Sequence, residues 1–244
     1  MTIPALILAA GRGERMRPLS DSCPKPLLHV RGKALIDWHV EALVHGGFTD
    51  IVVNTAWLGE QIPSHFEKRK ALQPNIYGCK QLTFSYSHEG ADFGCALETA
   101  GGIARALPLL GDVFWVLAGD VFAPGFAFTQ NSVDQFIASG KLAHVWLVPN
   151  PLHNLQGDFA IAASGLALNV PTEPDQPRYT FSSIALYRMA FFNALAFGNP
   201  GGVKAALAPM LRAAMDNHQV SAELYTGPWT DVGTPQRLAE LNQS

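Results

Sequence analysis

Charge is scarce in this chain: of its 244 residues only 15% are Asp, Glu, Lys or Arg. That scarcity excludes a disordered or coiled-coil protein, in which charged residues are far more frequent. A positive balance is missing too. With 17 Lys and Arg against 20 Asp and Glu, the formal net charge is -3, so no general attraction to nucleic acid or to an anionic membrane is expected. No apolar run approaches the ~20 residues that a membrane-spanning helix needs. Cysteines number three (Cys23, Cys79, Cys95), an odd count without metal-like spacing, and they read as free thiols in a reducing cytoplasm. The opening MTIPALILAAG has no basic stretch ahead of its apolar run, and it reads as a strand rather than a secretory leader. The eight histidines show no paired zinc spacing and are read as structural or surface groups. Two common phosphate loops are also absent. No glycine-lysine pair is followed by Ser or Thr at Walker A spacing, and Met16 stands where a dinucleotide fingerprint needs its third glycine. No Ser-His-Asp or Cys-His set suggests a covalent nucleophile.

What is present is apolar patterning. Hydrophobic residues make up 48% of the chain, enough for a sizeable core in one domain. Residues 1–150 alternate strand and helix. Strands are expected at Ala5–Ala9, Asp50–Asn54, Leu82–Tyr86, Val113–Leu117 and Ala143–Val148. Helices are expected from Ala34 to Gly46, Leu58 to Arg69, Glu98 to Leu107 and Ser132 to Ser139, the last with a capping box between Ser132 and Gln135. Ala5 to Ala9 is a continuous apolar run, as suits a strand buried on both faces of a parallel sheet. The rhythm predicts an α/β fold with a Rossmann-like, doubly wound mixed sheet, which binds ligands beyond the carboxyl ends of its strands. Residues 151–244 change character. Short strands at Asp158–Leu168 and Tyr179–Tyr187, separated by prolines, predict a small β-rich annex for a second substrate. A helix from Val203 to Met215, a strand at Val220–Tyr225 and a terminal helix from Thr234 follow.

Positive charge is concentrated rather than plentiful. Six of the 17 Lys and Arg lie within the first 33 residues, opposed there only by Glu14 and Asp21. A local basic loop in an acidic protein points to a small anionic ligand. Within it, Ala10, Gly11, Gly13, Glu14 and Arg15 follow the first strand, and Pro24-Lys25-Pro26 closes the segment. Gly11 and Gly13 allow a sharp turn that brings N–H groups close to phosphate oxygens. Arg15 offers a planar fork for phosphate, and Lys25 a mobile point charge. Asn54 and Gly119-Asp120 end strands and should project at the same sheet edge. Asp120 could equally be a turn residue, and Asp231, just before the last helix, a helix cap. Thr99, Gly101 and Gly102 open a helix whose N–H groups could form a shelf beside a base or ribose, or simply a capped start. Asn150, Gly157, Asp158 and Ser182 stand in the annex, where hydrogen bonds to sugar groups or plain loop roles are both open. Lys204 and Arg188 are either anion partners or solvated surface.

The motifs LILAAGRGERMRPLSDSCPKPL, VNTAWLGEQI, LETAGGIARALPLLG, Gly119-Asp120, Asn150-Pro151, Gly157-Asp158-Phe159 and WTDVGTPQRL together resemble the sugar nucleotidyltransferase family over nearly the whole chain. The resemblance implies a GT-A-like nucleotidyltransferase fold that transfers a uridylyl group from UTP to a sugar 1-phosphate and releases pyrophosphate. VNTAWLG, ETAGG and GDF match the branch whose sugar is N-acetylmuramate 1-phosphate. By the same resemblance Gly11, Gly13 and Arg15 contact the triphosphate and Lys25 the reacting phosphates, while Asp120 and Asp231 bind Mg2+. Thymidylyl or guanylyl transfer to another hexose 1-phosphate, or a catalytically silent nucleotide-sensing subunit, are the alternatives. The expected partners are small molecules only, with the chain a monomer or small homo-oligomer.

Overall fold

The computed structural model describes residues 3–72, 77–78 and 81–243. Cys79 and part of the polar Lys68–Gln81 stretch lie outside them. The strands, in chain order, are β1 (Ala5–Leu8), β2 (His29–Val30), β3 (Lys33–Ala34), β4 (Asp50–Thr55), β5 (Thr83–His88), β6 (Val113–Ala118), β7 (Val121–Phe122), β8 (Ala143–Val148), β9 (Phe159–Ile161), β10 (Ala167–Leu168), β11 (Arg178–Arg188), β12 (Val220–Leu224) and β13 (Thr230–Asp231). The helices are α1 (Leu35–His45), α2 (Gln61–Leu72), α3 (Glu89–Phe93), α4 (Glu98–Ala106), α5 (Gln130–Ser139), α6 (Leu207–Asp216) and α7 (Pro235–Gln243).

Among the described residues nine strands form one sheet, in the order β10-β9-β11-β6-β1-β4-β5, with β8 joined to β11 and β12 joined to β8. Its centre is parallel: β1 pairs with both β4 and β6, and β4 pairs with β5. β11 runs antiparallel to β6 and ties the second half of the chain into the sheet. Alternation along β1 explains the two layers. Ala5 and Ile7 join a core with Ile36 and Val40 of α1, Phe66 of α2 and Phe136 of α5. Leu6 faces the other way, into a core with Ile103 of α4 and Leu211 of α6. A strand buried on both faces needs apolar residues at every position, which is why β1 reads as an unbroken run. The doubly wound mixed sheet expected from the sequence is therefore present.

Three local expectations are corrected. Thr129, not Ser132, caps α5: its side-chain oxygen accepts the Ser132 N–H at 3.1 Å, so the Ser132–Gln135 box does not form. α6 begins at Leu207 rather than Val203. The preceding segment instead pairs with the start of α4, where the Ala205 N–H donates to the Leu97 carbonyl, and the Ala205 carbonyl accepts from Ala100 and Gly101. β11 is longer than expected and irregular: its register with β8 shifts between Phe181 and Ala185, around Ser183 at φ 62. A bulge of this kind re-aims side chains.

A third, smaller core holds Met16, Leu28, Val30, Leu35, Phe122, Val232 and Leu238. Met16 is fully buried there and pins the basic loop against β7 and α7.

Candidate active site

The basic loop leaves β1 at the carboxyl edge of the sheet and is held by a chain of hydrogen bonds. The Ala9 N–H donates to Asn54 Oδ1 at 2.6 Å, and Asn54 Nδ2 donates to Glu89 Oε1 at 2.5 Å. Glu89 Oε2 in turn accepts the Leu97 N–H at 2.7 Å. Glu89 is fully buried, and burial raises its carboxyl above the usual carboxylate range. Its two hydrogen bonds link the loop to the start of α4. Gly13 takes a left-handed φ of 65°, and a Cβ there would sit 3.3 Å from Lys25 Cβ, so only glycine lets the loop close over that side chain. Ser20 Oγ donates to the Gly13 carbonyl at 2.8 Å and secures the turn. Between the loop, α4 and the end of β6 lies a cleft of about 350 Å³ lined by Ala10, Gly11, Gly13, Lys25, Thr99 and Asp120.

Lys25 is almost buried, and its Nζ lies 2.5 Å from Asp120 Oδ2. Asp120 leads into β7, which pairs with β13, and Asp231 stands opposite Val121 in that pairing. The Val232 N–H also donates to the Asp120 carbonyl at 2.9 Å. Two aspartates remote in sequence are thereby brought to one cavity, whose lining also includes Arg15, His153 and Asp158. Asp231 Oδ2 accepts from Arg237 Nη1 at 2.8 Å and lies 3.6 Å from His153 Nε2. Each carboxylate thus already faces a protein cation, as it would face a metal. Among the described residues no cluster of three or more His, Cys, Asp or Glu could hold an ion by itself. Two carboxylates suit Mg2+, which completes its six oxygens with water and substrate phosphates, and this donor set therefore fits that ion.

A second hollow, of about 600 Å³, opens between α4, α6 and β11. Its walls are largely apolar, with Val116, Phe181, Tyr187 and Leu211 among them. Glu98, Thr99 and Ser183 line both this hollow and the cleft beside the basic loop, so the two are neighbours. Glu98 and Ser183 are non-glycine residues at φ 61 and 62. Backbone held in that region costs energy and is concentrated at functional sites. Asp158 lines the hollow and the carboxylate cavity, with Oδ2 accepting the Phe181 N–H at 2.8 Å and Oδ1 facing Asn154 Nδ2 at 3.2 Å.

Of the residues singled out in the sequence, Ala10, Gly11, Gly13, Arg15, Lys25, Asn54, Thr99, Asp120, Asp158 and Asp231 line these three connected cavities. Others are placed elsewhere. Glu14 is exposed and pairs with Arg12 at 3.8 Å. Gly101 and Gly102 are packing positions: a Cβ at Gly101 would meet the Val203 carbonyl at 2.5 Å, and one at Gly102 would meet Glu89 Oε1 at 2.5 Å. The helix-start shelf is largely spent, because the Leu97, Ala100 and Gly101 N–H groups already donate to Glu89 and Ala205. Gly119 packs beneath the cleft, its Cβ position 3.0 Å from the Leu8 carbonyl. Asn150 holds its own loop, donating to the Leu155 and Arg178 carbonyls. Gly157 turns that loop at φ 63° against Tyr179. Ser182 is buried and donates to the Trp146 carbonyl at 2.6 Å, whereas its neighbour Ser183 reaches the cavities. Arg188 is committed to the Lys141 and Ile137 carbonyls. His153, read as an ordinary surface group, borders the carboxylate pair. Glu89, Ser183 and His153 carried no local motif, and Arg237, although inside the WTDVGTPQRL segment, was not singled out there.

Comparison with known proteins agrees with this geometry. The family model described as nucleotidyl transferase matches residues 4–244. An N-acetylmuramate alpha-1-phosphate uridylyltransferase from Neisseria meningitidis serogroup B is 46% identical over 242 residues, covering 97% of this chain and 95% of that protein. A mannose-1-phosphate guanylyltransferase catalytic subunit beta from Drosophila pseudoobscura pseudoobscura is 34% identical, covering 95% of this chain and 59% of that protein. Among solved structures, an apo UDP-glucose pyrophosphorylase superposes with a TM-score of 0.74 at 18% identity, covering 100% of this chain and 97% of that one. A matching family model over nearly the full length, a parallel sheet edge carrying a glycine-rich basic loop, and a paired set of carboxylates lead to one statement: this chain belongs to the nucleotidyl transferase family.

Proposed function

We propose that this chain transfers the uridylyl group of UTP to N-acetylmuramate 1-phosphate, forming the UDP-sugar and pyrophosphate. The observation that carries the reading is the meeting of Arg15, Asp120 and Asp231 around one cavity, with Lys25 against Asp120. The relative of nearly equal length named for this reaction supports the choice of base and sugar.

The reaction is an in-line displacement. A phosphate oxygen of the sugar 1-phosphate attacks the α-phosphorus of UTP, one P–O bond forms, and the bond to the β-phosphate oxygen breaks. The attacking phosphate is already ionised at neutral pH, so no general base is needed. Catalysis then rests on positioning and charge neutralisation. The Gly11–Gly13 turn presents backbone N–H groups to the triphosphate. Arg15 meets the charge that develops on the leaving pyrophosphate. Lys25 reduces repulsion between the two phosphates. Asp158 accepts hydrogen bonds from sugar groups in the hollow beside α6. Asp120 and Asp231 would hold magnesium, which when bound supplies Lewis-acid charge neutralisation at the phosphate oxygens. Nucleoside triphosphates are cytoplasmic metabolites, which agrees with a cytoplasmic enzyme. Its product would feed the recycling of cell-wall sugar.

The test is pyrophosphate release from UTP, dTTP and GTP, each with N-acetylmuramate, N-acetylglucosamine, glucose and mannose 1-phosphates in the presence of Mg2+. The highest kcat/KM is expected for UTP with N-acetylmuramate 1-phosphate. A preference for dTTP or GTP would replace the uridylyl assignment. Nucleotide binding without pyrophosphate release from any pair would identify a silent regulatory subunit.

A further inference from the structure

N-acetylmuramate differs from N-acetylglucosamine by a lactyl ether that ends in a carboxylate. Any enzyme that selects the former needs a donor placed for that anion, and the sequence names none. The hollow of about 600 Å³ contains one cation among its lining residues, Arg212 of α6. The other charged residues that line it, Glu98 and Asp158, are acidic, so Arg212 is the one lining charge that attracts a carboxylate guest.

Arg212 is held and yet has capacity to spare. Nη1 donates to Asn169 Oδ1 at 2.6 Å, and Asn169 is braced in turn by Asp216 at 3.2 Å. The guanidinium carbon lies 5.2 Å from the centroid of the Phe159 ring. Neither partner is an anion, and Arg212 forms no ion pair among the described residues. A half-buried guanidinium with one neutral hydrogen-bond partner retains donors in the planar geometry that grips a carboxylate in two places. Of the other cations near the cavities, Arg237 is bound to Asp231 and Lys25 to Asp120, while Arg15 lines the carboxylate cavity rather than this hollow. Phe159 and Asp158 are consecutive, so the ring that positions Arg212 and the carboxylate that faces the sugar come from one turn of chain.

We propose that Arg212 reads the carboxylate of the acidic sugar 1-phosphate and sets the preference of the enzyme for it. This rests on the function proposed above and adds the specificity residue. The test compares kcat/KM for N-acetylmuramate 1-phosphate with that for N-acetylglucosamine 1-phosphate, in the wild type, Arg212→Met and Arg212→Gln, alongside melting temperature. Arg212→Gln can still donate to Asn169, so it keeps the local packing if Arg212→Met does not fold. The wild type is expected to favour the acidic sugar, and the ratio is expected to fall roughly 10- to 100-fold in a folded variant, mostly through KM. An unchanged ratio in either folded variant overturns the proposal, and so does an equal loss of turnover with both sugars. A wild type that turns over neither sugar, or shows no preference for the acidic one, overturns the functional reading itself, which separates the two failures.

Discussion

The cleft beside the basic loop and the hollow beside α6 share Thr99 and Ser183 but are built from opposite materials. In the cleft, charges are crowded and already paired: Lys25 on Asp120 at 2.5 Å, with Arg237 on Asp231 at 2.8 Å beyond it. In the hollow a single arginine stands among apolar and acidic walls. Crowded paired charges are pre-oriented for a reaction that moves negative charge, and losing one leaves its partner uncompensated. An apolar hollow with one cation does little chemistry and discriminates by shape and one contact. The first region should therefore be intolerant of change, and the second permissive in rate but decisive in choice of substrate.

The comparison breaks first at the carboxylates. Asp120→Ala and Lys25→Ala are each expected to lower kcat by roughly 100-fold or more while far-ultraviolet circular dichroism stays that of the wild type. A variant of near wild-type rate removes that side chain from the mechanism. Chelation by excess EDTA is expected to abolish pyrophosphate release, with recovery on adding Mg2+. Full activity after chelation would leave Asp120 and Asp231 without a metal to hold. The next largest effect separates two glycines of similar appearance in the sequence. Gly102→Ala forces a methyl group to within 2.5 Å of Glu89 Oε1, and it is expected to cost about 1–3 kcal/mol of stability by thermal or denaturant unfolding. Gly11 faces open space, with nothing within 4 Å of a Cβ. Gly11→Ala should therefore leave the melting temperature unchanged and raise KM for UTP about tenfold, because the methyl group occupies phosphate space. A stability loss at Gly11 without a change in KM would reverse that assignment.

Acid sensitivity sharpens the contrast from outside both regions. Burial lowers His144 from 6.5 to about 4. Between those values the unfolded chain binds a proton that the folded chain refuses, so stability is present above pH 6.5 and falls as pH drops toward 4. His144→Gln is expected to reduce the loss of melting temperature between pH 7 and pH 5. His39, also lowered to about 4 by burial, retains its share. A drop equal to that of the wild type would mean that His144 does not contribute. The smallest effect is expected at Arg12, whose guanidinium lies 4.3 Å from the Trp57 ring centroid on the outer side of the loop. Arg12→Ala should cost less than about 1 kcal/mol. A large loss of turnover there would extend the charged cleft outward.

Legibility in the sequence followed range of contact. β1 and β6 were readable within a residue because a strand buried on both faces must be apolar throughout. The basic loop was readable because its glycines, Arg15 and Lys25 lie in one short segment. Gly101 and Gly102 stayed open between a ligand shelf and a capped start, since a glycine at a helix start looks the same whether a ligand or the Val203 carbonyl approaches it. Ser182 and Ser183 are adjacent and chemically identical, and only the bulge in β11 decides which of them reaches the cavities.

By itself, the sequence determined an α/β sheet, a basic loop at its edge and a family of reactions, because each of these is written in residues close together along the chain. The pairing of Asp120 with Asp231 depended on β7 meeting β13, and the brace from Ala9 through Asn54 and Glu89 to Leu97 depended on four separate segments converging. The placement of Arg212 in the hollow likewise required α6 to dock beside α4. Those are long-range contacts, and side chains that never approach each other along the chain acquire a shared role only once the folded sheet and its helices hold them at hydrogen-bonding distance.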